Sequence, residues 1–192
     1  MTLPVCYNET SILVYDYIAY VLKKHGYSYL YVSDKESDSK EVLYTLKELS
    51  DEFETRYKDV FEGLCVQLNI ISVQTAYPSF VAVAKELFKD GGIKWGRITA
   101  LFVFSGQLCL ECINKDLPQL VGQIAIWLSQ FVENNLSEWI DEQGGWQGYV
   151  EFYQKCPNIK SENTWPTITN FICGIAAGAL GAITLKNWFN TS

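Results

Sequence analysis

The chain has 192 residues, 48% of them hydrophobic, a mean hydropathy of +0.01 and a net charge of −7. That is enough apolar side chain for one domain with a real core plus an appendage, and it excludes a disordered chain. The 15 Lys and Arg are dispersed, which removes the basic face that nucleic acid requires.

The start, "MTLPVCYNETS", lacks a basic n-region followed by an apolar h-region. It predicts no secretory signal, and therefore reduced thiols in the cytosol. Leu13, Val14, Tyr17, Ile18, Val21 and Leu22 then recur at helical spacing, with Gly26 as a C-terminal stop. His25, the single histidine, follows Lys23 and Lys24 there, where a helix C-terminus favours cations. One histidine excludes a histidine-rich metal site. "SDKESDSK" (33–40) reads as a short loop. Val42, Leu46, Leu49, Phe53, Tyr57, Phe61 and Leu64 form one apolar stripe on a long helix. "YPSFVAVAKELFKDGG" predicts a helix starting near Pro78 and ended by Gly91 and Gly92.

The stretch "KWGRITALFVFSGQLCLECI" (94–113) is apolar on every side from Ile98 onward, yet opens with two cations and a glycine. Its Cys109 and Cys112 read C-x-x-C without a second pair for zinc, and are expected as buried thiols of a core helix. Pro118 opens "PQLVGQIAIWLSQFV", and "LSEWIDEQGGWQGYVEFY" gives two short helices broken at Gly144 and Gly145. No alternating strand pattern appears, so the fold class is all-α. A helix apolar all round needs amphipathic helices around it, which predicts a bundle wrapped on a central hydrophobic helical hairpin. As a membrane span, 98–113 is short and interrupted by Gln107 and Glu111. No phosphate-binding glycine motif and no evident carboxylate-pair motif occurs, so neither an enzyme nor a cofactor is expected.

After Tyr153 the character changes. Residues 1–155 read as the bundle, 156–167 as a polar linker and 168–187 as a C-terminal transmembrane helix. "ITNFICGIAAGALGAITL" (168–185) carries no charge and spans ~27 Å, against a hydrocarbon core of ~30 Å. Trp165, Lys186 and Trp188 flank it as interfacial residues do. The alternative is a buried last helix. Gly174 and Gly178 form G-x-x-x-G, a pattern that also arises by chance in such segments.

Four stretches resemble, in order, the homology motifs of the Bcl-2 family of apoptosis regulators. "KDGGIKWGRITALFVFSG" resembles the first motif and "WIDEQGGWQGYVEFY" the second. "VLYTLKELSDEFETRY", with small Ser50 and the acid Asp51, is similar to the third, and "ILVYDYIAYVLKKHGYSY" to the fourth. The resemblance implies a Bcl-2-like helical bundle with a surface groove that receives the amphipathic third-motif helix of a partner. The partners implied are pro-apoptotic relatives, Bax/Bak-like and motif-only proteins. By position, the groove lining implied is Phe53, Tyr57, Phe61, Val83, Glu86, Leu87, Lys94, Trp95, Gly96, Arg97, Ala100, Phe104 and Tyr153. Phe53, Phe61, Leu87 and Phe104 serve equally as plain core.

The resemblance accounts for the unusual opening of the apolar helix. Gly96 lets a partner backbone approach, and Arg97 offers a fork for the partner's Asp carboxylate. Lys94 stands where the family commonly has Asn, and two glycines, Gly91 and Gly92, precede it where many survival members have one. Lys94 and Arg97, at i and i+3, can reach one carboxylate. The motifs read more like a survival member than like a Bax/Bak-like executioner that permeabilises the mitochondrial outer membrane. A tail anchor in the mitochondrial outer membrane or endoplasmic reticulum, with the bundle in the cytosol, is expected.

Overall fold

The computed structural model describes residues 8–28, 40–68, 72–89 and 92–155. These residues form helices and no strand. In order they are α1 (Glu9–Lys24), α2 (Lys40–Leu68), α3 (Val73–Leu87), α4 (Trp95–Asn114), α5 (Gln119–Asn135), α6 (Ser137–Glu142) and α7 (Gly145–Lys155). The side chains of 59–67, Phe61 and Leu64 among them, lie outside the described ones. So do the predicted linker and membrane helix, residues 156–187, and most of the predicted loop at 33–40.

α1 starts where Asn8 Oδ1 accepts the Ser11 backbone N–H at 2.9 Å, a side-chain cap for an orphan donor. It stops at Gly26, whose φ of +84° is left-handed. There Gly26 N–H donates to Lys23 O (3.0 Å) and Tyr27 N–H to Leu22 O (2.9 Å), the double closure that a left-handed residue permits.

α4 is the centre of the fold. Every residue from Ile98 to Gly106 is buried, because α1, α2, α3 and α5 all pack against it. Each large apolar side chain enclosed there contributes about 1.5–3 kcal/mol. Its buried hydroxyls bond back along the helix, Thr99 to Trp95 O (3.0 Å) and Ser105 to Leu101 O (2.7 Å), so no donor is stranded. The two polar interruptions sit at its edge, where Gln107 donates to Glu54 and Glu111 pairs with Lys115 at 3.0 Å. Among the described residues α4 alone has the length and composition to cross a membrane; its burial accounts for that apolarity. A short turn through Asp116 (φ 58°) reverses the chain into α5, which gives the central hairpin. Pro118 sits at the α5 N-cap, as expected.

Two boundaries differ from the sequence reading. α3 begins at Val73, not near Pro78. Ser72 caps it, donating its N–H to Thr75 Oγ1 at 3.2 Å. Pro78 lies inside the helix on an exposed position, where water can satisfy the carbonyl left without its N–H partner. α2 is not one unbroken stripe helix: Tyr57 has φ −119° and ψ 19°, a kink. Just before it, the Thr55 hydroxyl donates to Asp51 O at 2.8 Å, a side-chain bond of the kind that bends helices.

The corner between α6 and α7 is set by glycines. Gly144 and Gly145 both have left-handed φ, +90° and +67°. A Cβ on Gly148 would stand 1.9 Å from Gln143 O, so no side chain fits there without moving backbone.

Candidate functional site

The residues singled out in the sequence sit on α2, α3, the N-terminus of α4 and α7, elements that converge on α4 and α2. On α2, Phe53 is fully buried and Tyr57 nearly so, their ring centroids 4.9 Å apart. On α3, Val83 and Leu87 are buried, while half-buried Glu86 faces Lys89 at 3.4 Å. Ala100 and Phe104 are buried on α4, and Phe104 stacks on Phe80 at 6.4 Å. Tyr153 is half-buried on α7, and Phe61 lies outside the described side chains.

Polar character concentrates at the start of α4. Lys94 is the N-cap in extended conformation (φ −149°, ψ 149°), with an exposed side chain that makes no capping bond. Its carbonyl accepts the N–H groups of Arg97 (3.0 Å) and Ile98 (3.2 Å). Gly96 and Arg97 are half-buried. The Arg97 guanidinium donates through Nη1 to Gly92 O at 2.7 Å, so its fork is braced by the turn that leads into the helix. Helix N-terminal N–H groups add positive potential beside these two cations. The arrangement suits a carboxylate presented by an approaching helix.

Trp95 faces the α6–α7 corner. Only 5% exposed, it packs edge-on against Trp139 (4.9 Å) and lies 5.3 Å from Tyr149 and 6.1 Å from Trp146. Tyr149 OH meets Thr99 Oγ1 at 2.9 Å, and Trp146 Nε1 donates to Thr10 Oγ1 at 3.1 Å. Burial pushes the Tyr149 hydroxyl well above its ordinary range, so it stays a neutral donor. This aromatic cluster fixes where α4 begins, and hence where Arg97 stands. Sequence reasoning did not assign it; the signal available was three tryptophans in the first and second motifs. Cys109 and Cys112 are buried free thiols. Burial raises both, Cys112 to about 11, so neither is a poised nucleophile.

The family model for apoptosis regulator proteins of the Bcl-2 family matches residues 46–146, more than half of the chain. The chain belongs to the Bcl-2 family. Bcl-2-like protein 1 of Homo sapiens is 46% identical over 112 residues, 58% of this chain and 47% of that protein. Apoptosis regulator Bcl-2 of Gallus gallus is 36% identical over 138 residues, 72% of this chain and 58% of that one. The chain thus spans about half the length of the relatives it matches. Trichoplax adhaerens trBcl-2L2, in its crystal structure bound to trBak BH3, superposes with a TM-score of 0.70 at 34% identity. That match covers 76% of this chain and 97% of the other. As a Bcl-2 family member the protein has the all-helical fold of that structure, and its matched segment includes the α4 N-terminus with Gly96 and Arg97.

Proposed function

We propose that this Bcl-2 family protein is a pro-survival regulator of apoptosis. It sequesters the amphipathic third-motif (BH3) helix of pro-apoptotic relatives in a groove between α2, α3, the start of α4 and the end of α7. It thereby prevents permeabilisation of the mitochondrial outer membrane. The observation that carries this reading is the braced Arg97 beside Gly96, in a fold matched at 34% identity by a relative that was crystallised with a BH3 helix. Identity to Bcl-2-like protein 1 and Bcl-2 favours the survival branch over the Bax/Bak-like executioner branch. Binding here is recognition, with no catalytic step: apolar anchors supply affinity and one ion pair sets orientation.

The test is dye release from liposomes of mitochondrial lipid composition. The purified protein with a BH3 peptide should release nothing and should block release by an activated Bax-type protein. Release by this protein alone would assign it to the executioner branch.

We also propose that 168–187 anchors the protein in the mitochondrial outer membrane or endoplasmic reticulum, with the bundle facing the cytosol. Truncation from Trp165 onward should move the protein from the membrane fraction to the soluble fraction while peptide binding persists. Aggregation of the truncated chain, with detergent-free solubility of the full chain, would make that segment a bundle helix instead.

A further inference from the structure

Several polar residues have no place in the apolar packing: Asp51 and Glu54 midway along α2, Gln107 inside α4, and the cations that end α1. The structure brings them together. Lys24 Nζ lies 2.9 Å from Asp51 Oδ1 and 2.6 Å from Glu54 Oε2. Tyr20 donates its hydroxyl to Asp51 Oδ2 at 2.6 Å. Gln107 Nε2 donates to Glu54 Oε1, and His25 Nε2 stands 3.6 Å from that same oxygen. Lys47 Nζ sits 4.8 Å over the Tyr20 ring. One cation of α1 therefore bridges two carboxylates of α2, and each carboxylate is also held by a neutral donor from a different helix.

We infer that Lys24 is a latch, closing α1 over the carboxylate edge of α2, and that breaking this contact frees the last two turns of α1 before any other part of the bundle. Desolvation alone would pull the Lys24 ammonium down; its hydrogen bonds to Glu54 and Asp51 outweigh that and hold it above the ordinary lysine range. Burial, and then the bond to Asp51, push Tyr20 up to about 12. Both groups thus keep the protons that the contact uses.

An isolated surface pair contributes little. Here, removing Lys24 leaves Asp51 and Glu54 three residues apart on one helix face without their shared cation, and like charges so placed repel. The contact lies at the C-terminal end of α1, while the other end is held separately by the buried bond from Trp146 to Thr10. Opening therefore starts at the latch and stays local, as expected for a weakly held edge of a cooperative core. The side chains around the latch are 22–42% exposed, so salt reaches it and weakens it. The inference does not depend on what the groove binds. Its consequence is regulatory: while the latch is closed, the acid edge of the chain's own third motif is covered.

The experiment is hydrogen exchange read by mass spectrometry on the full-length protein in mild detergent. Lys24→Glu should speed exchange about tenfold in the second half of α1 and around Asp51, leaving α5 and α7 unchanged. Lys24→Glu combined with Asp51→Lys should restore most of the protection, and raising salt to ~1 M should loosen wild type but not Lys24→Glu. Unchanged exchange in Lys24→Glu overturns the latch. A uniform rise across all helices overturns it too, because that is global destabilisation. Should Lys24→Glu fail to fold, Lys24→Met is read by the same criteria.

Discussion

Gly96→Glu should weaken binding of a third-motif helix at least a hundredfold, about 2.7 kcal/mol. Two physical effects act together. Gly96 is half-buried, one residue before Arg97 at the start of α4, so a side chain there occupies the space a partner backbone would enter. Its carboxylate also competes for Arg97 and Lys94, the cations assigned to the partner's Asp. The fold should be spared. An acid in the first turn complements the helix dipole, and replacing glycine within a helix gains propensity. Calorimetric titration with one BH3 peptide, beside a thermal melt, checks both halves. Wild-type affinity in the variant would remove this position from the site, and a large fall in Tm would make any binding loss uninterpretable as recognition.

The largest expected effect on stability is that of Trp95→Ala. Trp95 is 5% exposed and touches Trp139, Trp146 and Tyr149, aromatic residues of α6 and α7. Truncating a buried tryptophan costs about 3–5 kcal/mol, since the lost transfer energy adds to an unfilled cavity. For a chain of this size that corresponds to a Tm lower by roughly 6–20 °C. Trp95→Phe, which keeps a ring in the cluster, should lose much less. Circular dichroism melts of the two variants test this. A shift below about 2 °C in Trp95→Ala would mean that the cluster does not fasten α4 to the corner. The prediction bears on function because Arg97 follows two residues later: a loosened helix start should also lower peptide affinity, in proportion to the disorder it introduces.

Much of the fold was legible because it is local. The spacing of Leu13 to Leu22, the all-round apolarity after Ile98 and the Gly144–Gly145 pair each depend on residues within a turn or two of one another. Helices therefore appeared in the right order, with the core helix at the centre. The misread boundaries were local too, but depended on which way a residue faces. Pro78 reads as a start signal; inside α3 it is tolerated because its position is exposed and Ser72 and Thr75 cap the helix earlier. Nothing in the spacing of Phe53, Tyr57 and Phe61 announces the kink at Tyr57.

The candidate site was legible as positions on helices, and its identity as a set came from the motif resemblance. Periodicity tells which face of a helix is apolar. It does not tell what covers that face. Phe53, Val83, Leu87 and Phe104 are each at most 1% exposed, and only packing decided that. The same holds for the polar contacts. Lys24 and Asp51 are 27 residues apart in sequence, Trp146 and Thr10 136 apart, and no pattern along the chain links them. By itself the sequence determined the helices, their apolar faces and the placement of Gly96 and Arg97 at a helix start, because these follow from backbone chemistry and short-range periodicity. The tertiary structure alone decided that Trp95 turns into the α6–α7 cluster, that Arg97 is braced on Gly92, and that the acids of α2 are held by α1. Those outcomes depend on which surfaces meet once the apolar faces have been buried together.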